Sequence, residues 1–128
     1  LLSLDQHLQC ERESISRYPR NSDGAIEWAA VTDDLILCSV DSDSVELSTV
    51  IQRFTPKASS LIFFWESLAV PSVKMEIESA TPRLLDITES VPEFWIYSPR
   101  DQTVVEISFS GGVTAARVPV AADDQIPL

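Results

Sequence analysis

The stretch FWIYSPRDQTVVEISFSGGVTAARV, residues 94–118, decides the fold. Three runs rich in β-branched and aromatic residues, Phe94 to Tyr97, Thr103 to Phe109 and Val113 to Val118, read as strands. They are separated by Ser98-Pro99-Arg100-Asp101 and by Ser110-Gly111-Gly112. Both joints carry turn chemistry, and Gly-Gly accepts the positive φ that a tight hairpin requires. Connections this short cannot hold a crossover helix, so the three strands form an antiparallel meander.

Working upstream, Leu61 to Trp65 is too short for a helix and too apolar for an edge, and reads as a strand near the middle of the sheet. Leu68 to Ile77 continues as a strand in which Val73, Met75 and Ile77 alternate with Lys74, Glu76 and Glu78. Pro71 has no N–H to give a ladder, so this strand is bent or at an edge. Pro82, after the cap candidate Thr81, opens a short helix carrying Leu84, Leu85, Ile87 and Val91. Another helix carries Val45, Leu47, Val50, Ile51 and Phe54, with Ser42, Asp43 or Ser44 as its cap and Pro56 as its stop.

Near the start, Leu1, Leu4, Leu8, Ile15 and Tyr18 fall close to a helical period and predict an amphipathic helix over 2–17. Pro19 and Asn21-Ser22-Asp23-Gly24 then turn the chain. Residues 25–31 and 35–40 flank Thr32-Asp33-Asp34 as a hairpin, with a helix over 24–31 as the competing reading because Ala25, Ala29 and Ala30 favour it. The expected fold is α+β. A single domain over 1–118 has a mainly antiparallel sheet, a C-terminal β-meander and two to three helices packed on one face, followed by an exposed acidic, proline-containing tail over 119–128.

A chain of 128 residues with 45% apolar and 23% charged content suits one globular core. Its longest wholly apolar run, Leu61 to Trp65, is far too short to span a bilayer. No basic, apolar leader is visible, and Cys10 and Cys38 read as two reduced, partly buried thiols, with a Cys10–Cys38 disulfide as the alternative, so a cytoplasmic location is expected. With no CxxC spacing and His7 as the single histidine, a four-ligand zinc site cannot be assembled from these types, and no metal or cofactor is expected. His7 itself, among Gln6, Gln9 and Glu11, reads as an exposed polar-face histidine rather than a catalytic base. Three glycines are too few for a phosphate loop or a nucleophile elbow.

Charge says more. Twenty acids oppose nine bases for a formal charge of −11, and the distribution is uneven. Between Arg20 and Arg53 no Lys or Arg occurs, while Asp23, Glu27, Asp33, Asp34, Asp41, Asp43 and Glu46 put seven negative charges in 32 residues. A smaller interval between Arg83 and Arg100 carries Asp86, Glu89 and Glu93. Such a field repels nucleic acid and anionic lipid and attracts basic proteins. Trp28, beside Glu27 inside the acidic interval, is placed to act as an exposed interface anchor ringed by acids.

The segment LILCSVDSDSVEL, residues 35–47, ends an apolar strand in D-x-D-x-V and resembles the first motif of the haloacid dehalogenase-like phosphatases. That resemblance implies Asp41 as nucleophile, Asp43 as general acid/base, a bound Mg²⁺ and a parallel βαβ core. The rest of the family's pattern is poorly matched: Lys57 and Lys74 are the only lysines, and the late acidic pair Asp123-Asp124 has four residues after it. A calcium loop starting at Asp41 fails, since Glu46 and Gln52 stand where Gly and Glu are needed. The simpler reading of Asp41 and Asp43 is local, at a strand end and a helix start, where carboxylates satisfy backbone N–H groups.

In profile the chain resembles the small acidic immunity proteins of bacterial contact-dependent and polymorphic toxin systems. Segments such as FFWESLAVPSVKMEI, EFWIYS and VVEISFSGGVTAARVP carry that likeness. The resemblance implies a non-catalytic inhibitor that covers the active site of a cognate basic toxin domain, often a nuclease. Partner-binding candidates are Glu27, Trp28, Asp33, Asp34, Asp41, Asp43 and Glu46. The alternatives are a DNA-mimic inhibitor, which would space its carboxylates like phosphates along an elongated face, and a non-enzymatic scaffold module.

Overall fold

The computed structural model describes residues 1–20, 26–41, 47–65, 72–91, 93–108 and 111–119. In chain order these form α1 (Leu4–Glu13), β1 (Ile36–Asp41), α2 (Leu47–Phe54), β2 (Ser60–Trp65), β3 (Val73–Glu76), α3 (Ile77–Ala80), α4 (Leu84–Ser90), β4 (Phe94–Ser98), β5 (Thr103–Ile107) and β6 (Gly112–Arg117). The class is α+β, with six strands in one sheet of order β1-β6-β5-β4-β2-β3. Every pairing in it is antiparallel.

The C-terminal meander is present as expected, and its register sets Phe94 opposite Ile107 and Ile107 opposite Val113. Its second turn uses Gly111 at φ 91°, a left-handed conformation that costs glycine nothing. The first turn reaches the same region with a non-glycine residue, Gln102 at φ 53°. Its side-chain amide offsets that cost by donating to Pro99 O at 2.8 Å and to the Tyr97 hydroxyl at 3.2 Å. Strand β2 is interior, between β4 and β3. Strand β3 forms the edge that Pro71 foreshadows.

Both faces of the sheet are covered, which is why strands β2 and β4 read as near-continuous apolar runs. On one face Leu61, Phe63, Phe94, Ile96, Val105, Val113 and Ala115 pack with Val50 and Ile51 of α2, Ala80 of α3 and Leu84 of α4, the expected placement of helices on a single side. The opposite face, Ile62, Phe64, Trp95, Tyr97, Val104 and Ala116, is not left to solvent. It is closed by Ile15, Tyr18, Ile26 and Val31 from the irregular segment after α1, and by Val118. Each fully buried aromatic or aliphatic side chain contributes about 1.5–3 kcal/mol, so this second core matters as much as the first.

Four sequence expectations are corrected. First, α1 buries none of its residues, and Leu1, Leu4 and Leu8 face outward. The helix instead turns its other side to the sheet: His7 Nδ1 lies 2.8 Å from Ser72 Oγ, its ring meets Phe64 edge-on at 5.8 Å, and Cys10 packs on the core. His7 is therefore partly buried rather than exposed, with Nε2 3.1 Å from Glu11.

Second, residues 25–31 and 35–40 do not pair. Strand β1 pairs with β6, where Leu37, Cys38 and Val40 reach the core, while Trp28–Ala30 and Asp33–Leu35 form single 3-10 turns. The exposed Ala29 and Ala30 have no apolar face for either a strand or a longer helix to bury.

Third, the helix near Pro82 begins earlier, at Ile77. Thr81 does not cap it: its hydroxyl donates back to Ile77 O at 2.8 Å, and Pro82 sits in a 3-10 turn, Thr81–Arg83, that joins α3 to α4. Fourth, the amphipathic stretch 2–17 is broken at Ser14, whose hydroxyl donates to Cys10 O at 2.6 Å, so that Ile15–Arg17 forms a 3-10 turn. Cys10 and Cys38 are unpaired, half-buried thiols. Among the described residues no helix is long and apolar enough to cross a membrane. The caps proposed for α2 at Ser42, Asp43 and Ser44, and the tail over 120–128, lie outside the described residues.

Candidate functional site

The acidic interval is held to the sheet by an internal clasp. Glu106 stands in the middle of β5, opposite Trp95 on one side and Thr114 on the other, and is buried. One carboxylate oxygen accepts the indole N–H of Trp28 at 2.7 Å, and the other accepts that of Trp95 at 2.8 Å. An indole N–H can only donate, so the two tryptophans fill one oxygen each and leave no buried polar atom of this group without a partner. The Trp28 ring also meets Tyr18 edge-on at 5.3 Å. The Tyr18 hydroxyl donates to Arg117 O at 2.7 Å, and burial pushes its phenol well above the usual tyrosine range, with Tyr97 adding to the shift.

This arrangement sorts the 26–34 segment into two sets. Ile26 and Val31 are buried and Trp28 is half-buried, so the intervening residues are forced outward, and Glu27, Asp33 and Asp34 are exposed. Asp33 and Asp34 open a 3-10 turn closed by Leu35 N donating to Thr32 O at 3.0 Å. The chain then enters β1, one of the two edge strands of the sheet, which ends at the exposed Asp41 opposite Gly112. Five steps of about 3.3 Å put Asp41 roughly 17 Å from Ile36 at the start of the strand, well beyond the ~8 Å over which exposed charges act on one another at physiological salt.

The sequence candidates thus divide. Asp33 and Asp34 stand directly before β1, Glu27 precedes the Trp28–Ala30 turn further upstream, and Asp41 marks the far end of the strand. Among the described residues none of the four is ion-paired. Trp28 is not the exposed anchor expected from its acidic neighbours, because its one polar atom is committed to Glu106 inside the fold. Asp43 and Glu46 lie outside the described residues. The parallel βαβ core implied by the dehalogenase resemblance is overturned by the wholly antiparallel sheet.

Glu106 went unnoticed at the sequence level. Its signal was a lone acid in Thr103-Val104-Val105-Glu106-Ile107, a strand otherwise without charge, in a chain whose tryptophans need acceptors if buried. Among the described residues no group of three or more His, Cys, Asp or Glu stands close enough to hold a metal ion. No protein-family model matches the chain, and no curated protein matches it.

Proposed function

We propose that the protein is a non-catalytic inhibitor, of the immunity-protein kind, that binds a basic toxin domain through the acidic edge of its sheet. The observation that carries this reading is that exposed, un-ion-paired carboxylates bracket an edge strand: Glu27, Asp33 and Asp34 before β1 and Asp41 at its end. Charges in this position serve two ends. They discourage the edge from pairing with other copies of the chain, and they draw a basic surface toward it at a rate above that of uncharged proteins. A net charge of −11 adds a long-range field of the same sign. A bacterial cytoplasmic setting belongs to the same proposal.

The test is capture of a partner from native-host lysate, eluted with rising salt. It compares the wild type with a variant in which Asp33, Asp34, Asp41 and Asp43 are all changed to Lys. One basic protein held stoichiometrically by the wild type and lost by the folded variant is the expected result. Equal retention by both moves the interface to the second acidic interval, around Asp86, Glu89 and Glu93, and overturns the assignment of the face.

A further inference from the structure

A cleft lies on the Trp28 face of the sheet, toward the edge opposite β1. Between α1 and the β2–β3 side it has a volume of about 590 Å³, within the range of small-molecule sites. Its apolar surface comes from Leu2, Cys10, Ile62 and Pro99, and it carries two cations, Lys74 and Arg100. Ile62 on β2 pairs with Lys74 on β3 and with Tyr97 on β4. Residues directly opposite each other point to the same face of a sheet, so the Lys74 side chain leaves the sheet beside the Ile62 floor. Arg100 follows from the turn after β4.

The local charge is the opposite of the molecule's. Asp5, in the first turn of α1, is the one carboxylate of the lining, so with two cations the cleft carries a formal +1 in a chain at −11. Glu76 shares the Lys74 face of β3 but is not part of the lining. Neither Lys74 nor Arg100 is ion-paired among the described residues, although the chain holds 20 acids. Two un-ion-paired cations over an apolar floor fit a ligand with one anionic end and one apolar body. Cys10 reports on the same space. Burial, and then Glu13, push its thiol up from the usual range, and Lys74 opposes them.

We infer that this cleft binds a small amphipathic monocarboxylate, its head between Lys74 and Arg100 and its body over Ile62 and Leu2. Four strand spacings of about 4.8 Å separate β1 from β2 in the sheet order, roughly 19 Å. The cleft is therefore distinct from the acidic edge, and its test needs no protein partner.

The probes are decanoate, decanol and decyltrimethylammonium, titrated into ¹⁵N-labelled full chain and followed at the amides of Cys10, Ile62 and Lys74. Iodoacetamide alkylation of Cys10 is the second readout. Decanoate is expected to shift these amides and slow alkylation of Cys10 but not of Cys38. Decanol should bind about tenfold more weakly, the loss of one charge-assisted contact, and the ammonium should not bind. Lys74→Gln and Arg100→Gln are both at exposed positions, so their amide spectra should keep the wild-type dispersion while decanoate affinity falls about tenfold in each. No decanoate shift at millimolar concentration, equal binding of all three head groups, or undiminished affinity in both variants would overturn the inference.

Discussion

Trp28 and Glu106 lie 78 residues apart in the chain and 2.7 Å apart in the fold, indole N–H to carboxylate. This contact ties the acidic segment to the centre of the sheet, and its loss has a defined cost. Glu106→Ala leaves the buried Trp95 indole N–H and the half-buried Trp28 indole N–H without their acceptor, at up to about 1–3 kcal/mol each. Urea unfolding should show a lower midpoint with an unchanged slope, a loss of about 2–6 kcal/mol of stability. Trp28→Phe removes one donor and should cost about 1–2 kcal/mol. The double variant should cost less than the sum, since the two residues share one contact.

Covering of both faces makes a second prediction. Phe63 and Phe64 are adjacent, point to opposite sides of β2, and are both buried. Phe63→Ala and Phe64→Ala should each destabilise the fold by about 3–5 kcal/mol. A sheet packed on one side would suffer from only one of them, and thermal unfolding of the two variants distinguishes these cases.

The buried phenols set an alkaline limit. Tyr18 is held neutral by burial first and by Tyr97 second, and Tyr97 is raised mainly by its own burial. An acid whose folded pKa lies above its unfolded value binds its proton more tightly in the native state. The resulting stability is full below the ordinary tyrosine value of about 10 and is lost as pH rises beyond it. Stability should therefore fall above about pH 10. Absorbance at 295 nm should show phenolate appearing only with the loss of near-ultraviolet circular dichroism. Ionisation at the ordinary pH with the fold intact would contradict the burial of Tyr18.

Removing the edge charges should leave the fold alone. Asp33, Asp34 and Asp41 are exposed and un-ion-paired, so changing all three to Asn should alter stability by no more than about 0.5 kcal/mol per site. The same variant should associate with the captured partner about tenfold more slowly at low salt, with the difference shrinking as salt rises. Stopped-flow mixing over a salt series measures both.

The sheet was legible where local signals sufficed. Gly111-Gly112 and Ser98-Pro99 announce their turns, and Leu61 to Trp65 announces an interior strand by lacking any polar residue. The partner of β1 was not legible, because its register with β6 joins residues from 71 (Asp41 and Gly112) to 80 (Ile36 and Ala116) apart and no turn signal marks it. Nor was the seating of α1, where the leucine stripe lost to docking of His7 against Ser72 and Phe64. The site was half legible. The charge gap between Arg20 and Arg53 marks Glu27, Asp33, Asp34 and Asp41. Whether Trp28 faced out depended on Glu106, an acceptor supplied by a distant strand, and no local pattern carries that information.

The measurement that bears most directly on the acidic edge as the binding face is amide hydrogen exchange of the protein alone and in complex with its captured partner. The account predicts new protection in the Glu27–Asp34 segment and along Ile36 to Asp41, with the α4 and α1 amides unchanged. Protection confined to residues 86–101 or to α1, with β1 exchanging as fast as before, would contradict it.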